Sequence, residues 1–533
     1  MHPDTASELN WRMPYPSHRS PVMAQNIVAT SQPLAASAGL EILQQGGNAV
    51  DAAIATAITL TVVEPNNNGL GSDAFAILWD GQKLHGLNAS GKSPAGWNPE
   101  RFQGLEHMPA LGWDSVTVPG AVGAWASLSE HFGRLPFGDL FQRAIHYARE
   151  GFQVGPKTAR YWQHACTTYA GYPDYLAHFC PQGTAPKPGS LFRRPDMVNS
   201  LESIAESKGE SFYRGELAAA MIADSRAKGG AMTLEDLAQH ETLWVDPLAQ
   251  AYRGVALHEI PPNGQGMAAQ IALGILSHFD LKALDPDGDA AIHYQLEAMK
   301  IAIRAAFEHF ADPAAMHVSP SDLLGEETLA AAANSISDTA RQAIPALLPG
   351  SEDTVYLTTA DADGMMVSFI QSNYFGFGSG VVVPGTGISM QCRGAGFSLQ
   401  PGHPNQVGGG KRPFHTIIPG FVTEQGRPKM SFGVMGGHMQ HQGHVQMVTR
   451  IFDAGQNPQA AIDAPRWHIY RDYSIGVEHG FSEATAQALE KRGHRVRFEP
   501  LEHVFGGAQI IYRLQDGYCA GSEPRKEGQA VGY

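Results

Sequence analysis

The stretch DTVYLTTADADGMMVSFIQS (353–372) decides the fold. Thr354–Thr359 and Met365–Ser372 are runs rich in β-branched and aromatic residues, joined by Asp361-Ala-Asp-Gly364, a turn sequence. Together they read as an antiparallel hairpin. The character of the chain changes just before it. Residues 120–345 read as mainly helical, with Gly/Pro punctuation at PPNGQG (261–266) and an Ala-rich stretch, 328–347, that is either a helix or a mobile connector. After the hairpin come Gly-rich loops at 376–387 and 394–410, then further strands and helices. Upstream, residues 1–25 read as a polar, loosely held lead-in. Pro33 to Leu43 forms a helix stopped by Gly46-Gly47. Asn48-Ala-Val-Asp51 opens a second helix to about Val63, apolar on most faces and therefore expected between layers. Phe75–Trp79 and Lys83–Leu87 flank Asp80-Gly81, a second hairpin. Helices packed on antiparallel hairpins imply an α+β fold layered αββα.

Bulk composition sets the outer limits. The 533 residues are 43% apolar and 17% charged, enough for a large core. A net charge of −15 argues against nucleic acid or an anionic membrane as partner, since both reward basic patches. The longest apolar stretch, Ala52 to Val63, is shorter than the ~20 residues needed to span a bilayer. No signal-peptide core can be placed in the first twenty residues, so a soluble, cytoplasmic protein is expected. Cys166, Cys180, Cys392 and Cys519 form no CxxC pair and suggest neither a zinc ribbon nor a disulfide scaffold.

Two motifs carry chemistry at first sight. GLNASGKS (86–93) fits the phosphate-cradling pattern GxxxxGK[ST], with Lys92 and Ser93 at its functional positions. The pattern needs a parallel strand before it and a helix after the lysine. Here a hairpin arm precedes it, and Pro94 keeps Ser93 out of helical geometry. His438, His441 and His444 recur at three-residue spacing, but no cysteine or carboxylate lies among them. They are expected to cap and solvate the first turns of a helix, and no metal or other cofactor is expected. No GxSxG elbow is present, so a serine-hydrolase mechanism has no anchor.

Several blocks, in one consistent order, resemble the γ-glutamyltransferase family of N-terminal-nucleophile hydrolases. They are GLEILQQGGNAVDAAIA (39–55), VVEPNNNGLGSDAF (62–75), VTVPG (116–120), PPNGQG (261–266), the hairpin at 353–372, FGSGVVVPGTG (377–387), KRPFHTIIP (411–419), VMGGH (434–438) and DAPRWH (463–468). The resemblance implies an αββα sandwich made as one precursor that cuts itself before a threonine. The cut falls at Asp353–Thr354, leaving 1–353 and 354–533 as large and small subunits of one intertwined domain, with further dimerisation left open. Thr354 is then nucleophile and, through its freed α-amine, its own base. A hydroxyl needs such help near neutral pH, and an α-amine of pKa about 7.7–8.0 is well matched to give it. Ser372 matches the hydroxyl that holds the amine. Gly436 and Gly437 match the pair whose amides form the oxyanion hole. His415 and Thr416 fall where transpeptidases carry two serines that hold the substrate carboxylate.

Departures from the family pattern bear on substrate. Ser90 stands where glutathione-binding members carry an arginine, although Lys92 is near in sequence. Gly396 stands where they carry the aspartate that holds the glutamyl amine. An unpaired buried ammonium costs several kcal/mol, so γ-glutamyl selectivity is not expected. The replacement segment brings Arg393, whose guanidinium suits a carboxylate, or else serves a surface or subunit contact. Asn373 and Tyr374, next to Ser372, join Arg393, His415 and Thr416 as substrate-binding candidates. The signature is most similar to the branch holding glutathione-hydrolase-like proteins and oxamate amidohydrolases of purine breakdown. The expected reaction is hydrolysis of a small anionic amide such as oxamate, with a γ-glutamyl or acyl amide as the alternative.

Denaturing electrophoresis of the purified protein is expected to show two chains, and sequencing of the smaller should begin TVYLTT. One stable full-length band contradicts self-cleavage.

Overall fold

The computed structural model describes residues 18–342, 353–500 and 502–533, Asp353 by its backbone alone. Within that span the hairpin forms as the sequence implies. Strand Asp353–Ala360 pairs antiparallel with Met366–Tyr374, and the turn between them is held by Asp361, whose carboxylate accepts the Met365 amide at 3.0 Å. The hairpin is the centre of a seven-stranded sheet. Its strand order is Gln529–Gly532, Ile27–Thr30, Asp353–Ala360, Met366–Tyr374, Asp73–Trp79, Leu84–Asn88 and Leu243–Val245. A second seven-stranded sheet runs Val22–Ala24, Gly517–Ser522, Gly507–Leu514, Arg427–Met435, Gly420–Glu424, Val255–Glu259 and Leu248–Tyr252.

Alternation along the strands builds the layers, because successive side chains point to opposite faces. Val355, Leu357, Val367 and Phe369 face a helical layer that includes Pro33–Gln44, Ala49–Val63 and Ala121–Phe132. Tyr356 and Ile370 face the other way, into a core shared with Ile417, Phe421, Met435 and Ile511. The second sheet turns Val422, Phe432 and Val434 toward helices Gly266–Leu276, Asp289–His309 and Gln440–Phe452. The result is the expected four-layer αββα sandwich. Thr358 joins the two sheets through a hydrogen bond to Ser431 at 2.6 Å. Thr354 has the same parity as Tyr356 and Thr358.

Local signals explain the helices beside the hairpin. Gln32 caps Pro33–Gln44 by accepting the Leu34 and Ala35 amides, and the helix ends with the Gly46 and Gly47 amides bonding back to Leu43 and Ile42. Asn48 and Asp51 form a reciprocal capping box at the start of Ala49–Val63, all of whose residues are buried. Asp361 accepts the Ala49 amide at 2.8 Å, so the turn of the central hairpin also fixes the start of the buried helix.

Three expectations change. The stretch 120–345 is not mainly helical throughout: Leu243–Val245, Leu248–Tyr252 and Val255–Glu259 are strands that complete the edges of both sheets. The lead-in contains the edge strand Val22–Ala24, paired with 518–520. Cys166 and Cys180 are joined by a disulfide across the helices Pro156–Thr168 and Pro173–Phe179, which their spacing did not announce. The Ala-rich stretch is helical over Glu326–Asn334, while 343–352, up to the expected cleavage point, lies outside the described residues. No helix among the described residues is long and apolar enough to cross a membrane.

Replacing Asn48 by Ala removes one arm of the capping box and the bond from its amide to the Phe132 carbonyl. A loss of about 1 kcal/mol or more is expected, seen as a lower denaturant midpoint. An unchanged midpoint would show that Asp361 alone anchors this helix.

Candidate active site

The two central strands lose regular register at Thr354. Val355 pairs with Gln371, but Asp353 pairs with Tyr374, so one residue is bulged out of the Met366–Tyr374 strand. Bulges of this kind re-aim side chains at the ends of strands. Here the Thr354 hydroxyl donates to Ser372 Oγ at 3.1 Å, and Ser372 Oγ also accepts the Tyr374 amide at 2.8 Å. Tyr374 adopts φ 81°, a left-handed conformation that costs a side-chain-bearing residue about 1 kcal/mol or more and marks strain at a functional site. Its ring lies under the Arg393 guanidinium, 4.5 Å from the centroid. Thr354 is 1% exposed.

Other loops close on this point. Arg393, in the turn Arg393–Gly396, is buried and donates to Thr416 Oγ1 at 2.7 Å, which removes its reading as a surface arginine. His415 and Thr416 are held by the PPNGQG segment: the Gln265 amide donates to the His415 carbonyl, and Gln265 Nε2 bonds the carbonyls of Thr416 at 2.6 Å and Gly437 at 2.8 Å. Gly436 and Gly437 follow the strand Arg427–Met435, with φ of 117° and 55°. Two successive left-handed residues call for glycine. Among the described residues neither amide has a backbone acceptor. Gln440, on the next helix, points Nε2 at Thr354 Oγ1 from 3.4 Å while its carbonyl accepts the Ile418 amide. Asn373 accepts from Ser72 at 2.8 Å. The structure therefore brings Thr354 together with Ser372 and Gln440, and Arg393 with Tyr374 and Thr416.

Sequence reasoning missed Asp73, the most consequential addition. It is fully buried at the start of the strand Asp73–Trp79, one of its oxygens 3.1 Å from His415 Nε2 and the other accepting the Gly120 amide at 3.1 Å. Burial pushes its carboxyl up to about 7, against the opposing pull of Arg393. The His415 imidazole is held well below its usual range by the same burial and by Arg393. The Ile417 amide reaches His415 Nδ1 at 3.4 Å, which assigns the ring proton to Nε2, donating to Asp73. A carboxylate directly before an unbroken apolar run was the available signal. Gln440 and Gln265 carried no comparable signal.

The substituted positions are built into the packing. Ser90 is buried and bonds Asn88 at 2.7 Å, and a Cβ on Gly396 would sit 2.7 Å from the Phe414 carbonyl oxygen, so no aspartate fits there. Lys92 is exposed, no helix follows it, and Ser93 is spent on the Gly408 carbonyl and the Lys411 amide. That geometry removes both the phosphate cradle and Lys92 as a carboxylate clamp.

The histidines at 438–444 do not solvate a helix start. His441 and His444 are fully buried and His438 half-buried beside Arg471, at 3.0 Å. Desolvation holds His441 and His444 down at about 3. His444 Nδ1 meets Glu259 at 2.6 Å, and burial drives that carboxyl upward, so the pair is neutral. Among the described residues one group has metal-like spacing, His293, Glu297 and His494. Its ligand atoms are already engaged: His293 and His494 bond each other at 2.8 Å, and the Lys300 ammonium sits on Glu297 at 2.8 Å.

This geometry coincides with a match to the γ-glutamyltranspeptidase family model over residues 35–533. The chain belongs to that family. Family relatives include a glutathione hydrolase-like proenzyme of Bacillus subtilis, 35% identical over 97% of this chain and all of the relative. The oxamate amidohydrolase proenzyme of Klebsiella pneumoniae is 34% identical over the same shares. Among solved structures, a cephalosporin acylase from Bacillus halodurans superposes with a TM-score of 0.95 at 48% identity, covering 98% of this chain and 99% of its own. Family membership makes the chain an N-terminal-nucleophile amidohydrolase of the proenzyme type.

The buried Glu259 supplies a stability test. A carboxyl raised in the folded state loses stability as pH climbs past its unfolded value, about 4.3. Glu259→Gln keeps a hydrogen bond to His444 and should melt above wild type at pH 8, with a smaller difference at pH 5. An equal difference at both would show that Glu259 is not held neutral.

Proposed function

We propose that the chain cleaves itself before Thr354 and then hydrolyses the amide bond of a small acyl amide carrying a carboxylate, with oxamate as the named substrate. The observation that carries this reading is the burial, beside the Thr354–Ser372 pair, of Arg393 paired to Thr416. A guanidinium on a threonine hydroxyl presents directed donors to a carboxylate. The left-handed Tyr374 links the two parts, its amide on Ser372 and its ring under Arg393.

Thr354 Oγ1 attacks the amide carbonyl as its proton passes to the freed α-amine, which Ser372 positions. Charge developing on the carbonyl oxygen is met by the Gly436 and Gly437 amides. Collapse expels ammonia with the proton from the α-amine, leaving an acyl ester on Thr354. Water, deprotonated by the same amine, then releases the acid. In the precursor the same hydroxyl attacks the Asp353 carbonyl, and the acyl group moves from nitrogen to oxygen before hydrolysis. A γ-glutamyl group is disfavoured because Gly396 leaves no room for the aspartate that would receive its amine.

The likeness to a cephalosporin acylase favours a second reading, hydrolysis of a larger acyl amide at the same nucleophile. A panel of oxamate, glutathione, γ-glutamyl anilide and acyl amides, scored by released ammonia or amine, separates the two. Oxamate turnover that falls at least a hundredfold in Arg393→Ala is the expected result; turnover of acyl amides alone moves the assignment to the acylase reading. Thr354→Ala should stay uncut and inactive, and normal turnover by that variant rules out the nucleophile.

A further inference from the structure

Asp73 has no part in the chemistry above, yet it is fully buried among the groups that hold the substrate. Its two oxygens meet donors already in place, the His415 ring on one and the Gly120 amide on the other. Its electrical neighbours are nevertheless those of a substrate site. Arg393 and Arg412 act on it from two loops, and Tyr213 and His240 lie beyond it as neutral groups. Arg412 is itself buried and donates to the Ser90 carbonyl at 3.0 Å. When ionised, Asp73 is thus a counter-charge for Arg393. An anionic substrate arriving on Arg393 takes over that role and places two negative charges around one guanidinium, among side chains that are themselves buried. Like charges so placed cannot both persist cheaply, and the group that can give way is the one holding a titratable proton.

We infer that the buried Asp73–His415 pair takes up one proton when a carboxylate docks on Arg393, making the site selective for anions by a proton-coupled change in its own charge. The inference rests on the reading of Arg393 as the carboxylate clamp. The proton resides on the pair as a unit, since Asp73 Oδ2 and His415 Nε2 already share a hydrogen bond. The sign follows from the state of Asp73. Below pH 7 the carboxyl is largely protonated in the free enzyme and binding takes up little. Above pH 7 it is ionised, binding must draw in a proton, and affinity falls by about tenfold per pH unit while one proton is coupled. Asp73 is on this account a specificity-determining and positioning residue, fixing the His415 tautomer from outside the reacting atoms.

The test uses the processed enzyme and oxalate, the product of the proposed reaction, which stays doubly ionised from pH 6 to 8. Calorimetric titration at each pH, in buffers of different ionisation enthalpy, counts protons per oxalate bound. Uptake near one proton at pH 8 and near none at pH 6 is expected. Asp73→Asn should take up none at either pH, and its affinity should no longer fall as pH rises. Binding without uptake at pH 8 in the wild type overturns the inference, as does uptake retained in Asp73→Asn or failure of oxalate to bind. If the variant does not fold, the wild-type proton count decides alone. Uptake without ammonia release from oxamate leaves the inference standing and removes oxamate as substrate; ammonia release without uptake does the reverse.

Discussion

One residue too many in the strand Met366–Tyr374, opposite Thr354, is the constraint on which the site depends. A regular ladder would carry the pairing of Val355 with Gln371 straight on to the strand's end. The bulge turns Tyr374 into a left-handed conformation, puts its amide on Ser372 and lays its ring under Arg393. The hydroxyl contact and the guanidinium platform are thus two ends of a single distortion. The strain is held because the rest of the hairpin is fixed inside a sheet, 357–360 against Ile27–Thr30 and 366–372 against Asp73–Trp79.

Much of this was legible from residue order. The hairpin and the two helices that cover it follow from local rules, and each is where its sequence implies. What was not legible depends on neighbours distant in sequence. The strands at 243–259 are short and carry mixed polar and apolar residues, Leu243–Val245 and Leu248–Tyr252 as sheet edges and Val255–Glu259 one place in. His441 and His444 look like solvent-facing residues until tertiary packing deprives them of water, His444 against Phe432 and Glu259 of the second sheet. Asp73 and His415 lie 342 positions apart, and no periodicity announces such a pair.

Electrostatic economy inside the site is of a restrained kind. Removing two guanidinium groups from water is costly unless partners replace the lost hydration. Arg393 is answered by a hydroxyl, an aromatic face and a nearby carboxylate, while Arg412 leans on the Ser90 carbonyl and faces Asp312. The histidines nearby, all driven neutral, add no charge of their own.

The strand order has a different kind of consequence. Each sheet mixes segments from early and late in the chain: Ile27–Thr30 lies between Gln529–Gly532 and Asp353–Ala360, and Val22–Ala24 lies outside Gly517–Ser522. Such interleaving is reached by a single continuous thread whose ends are tethered. A cut made afterwards costs the assembled molecule little, but it erases the tether that allowed the two portions to find their register. Folding is then a journey made once. For an enzyme cut before Thr354, as proposed above, durability is then a matter of how slowly it opens as well as of how favourable closure is at equilibrium.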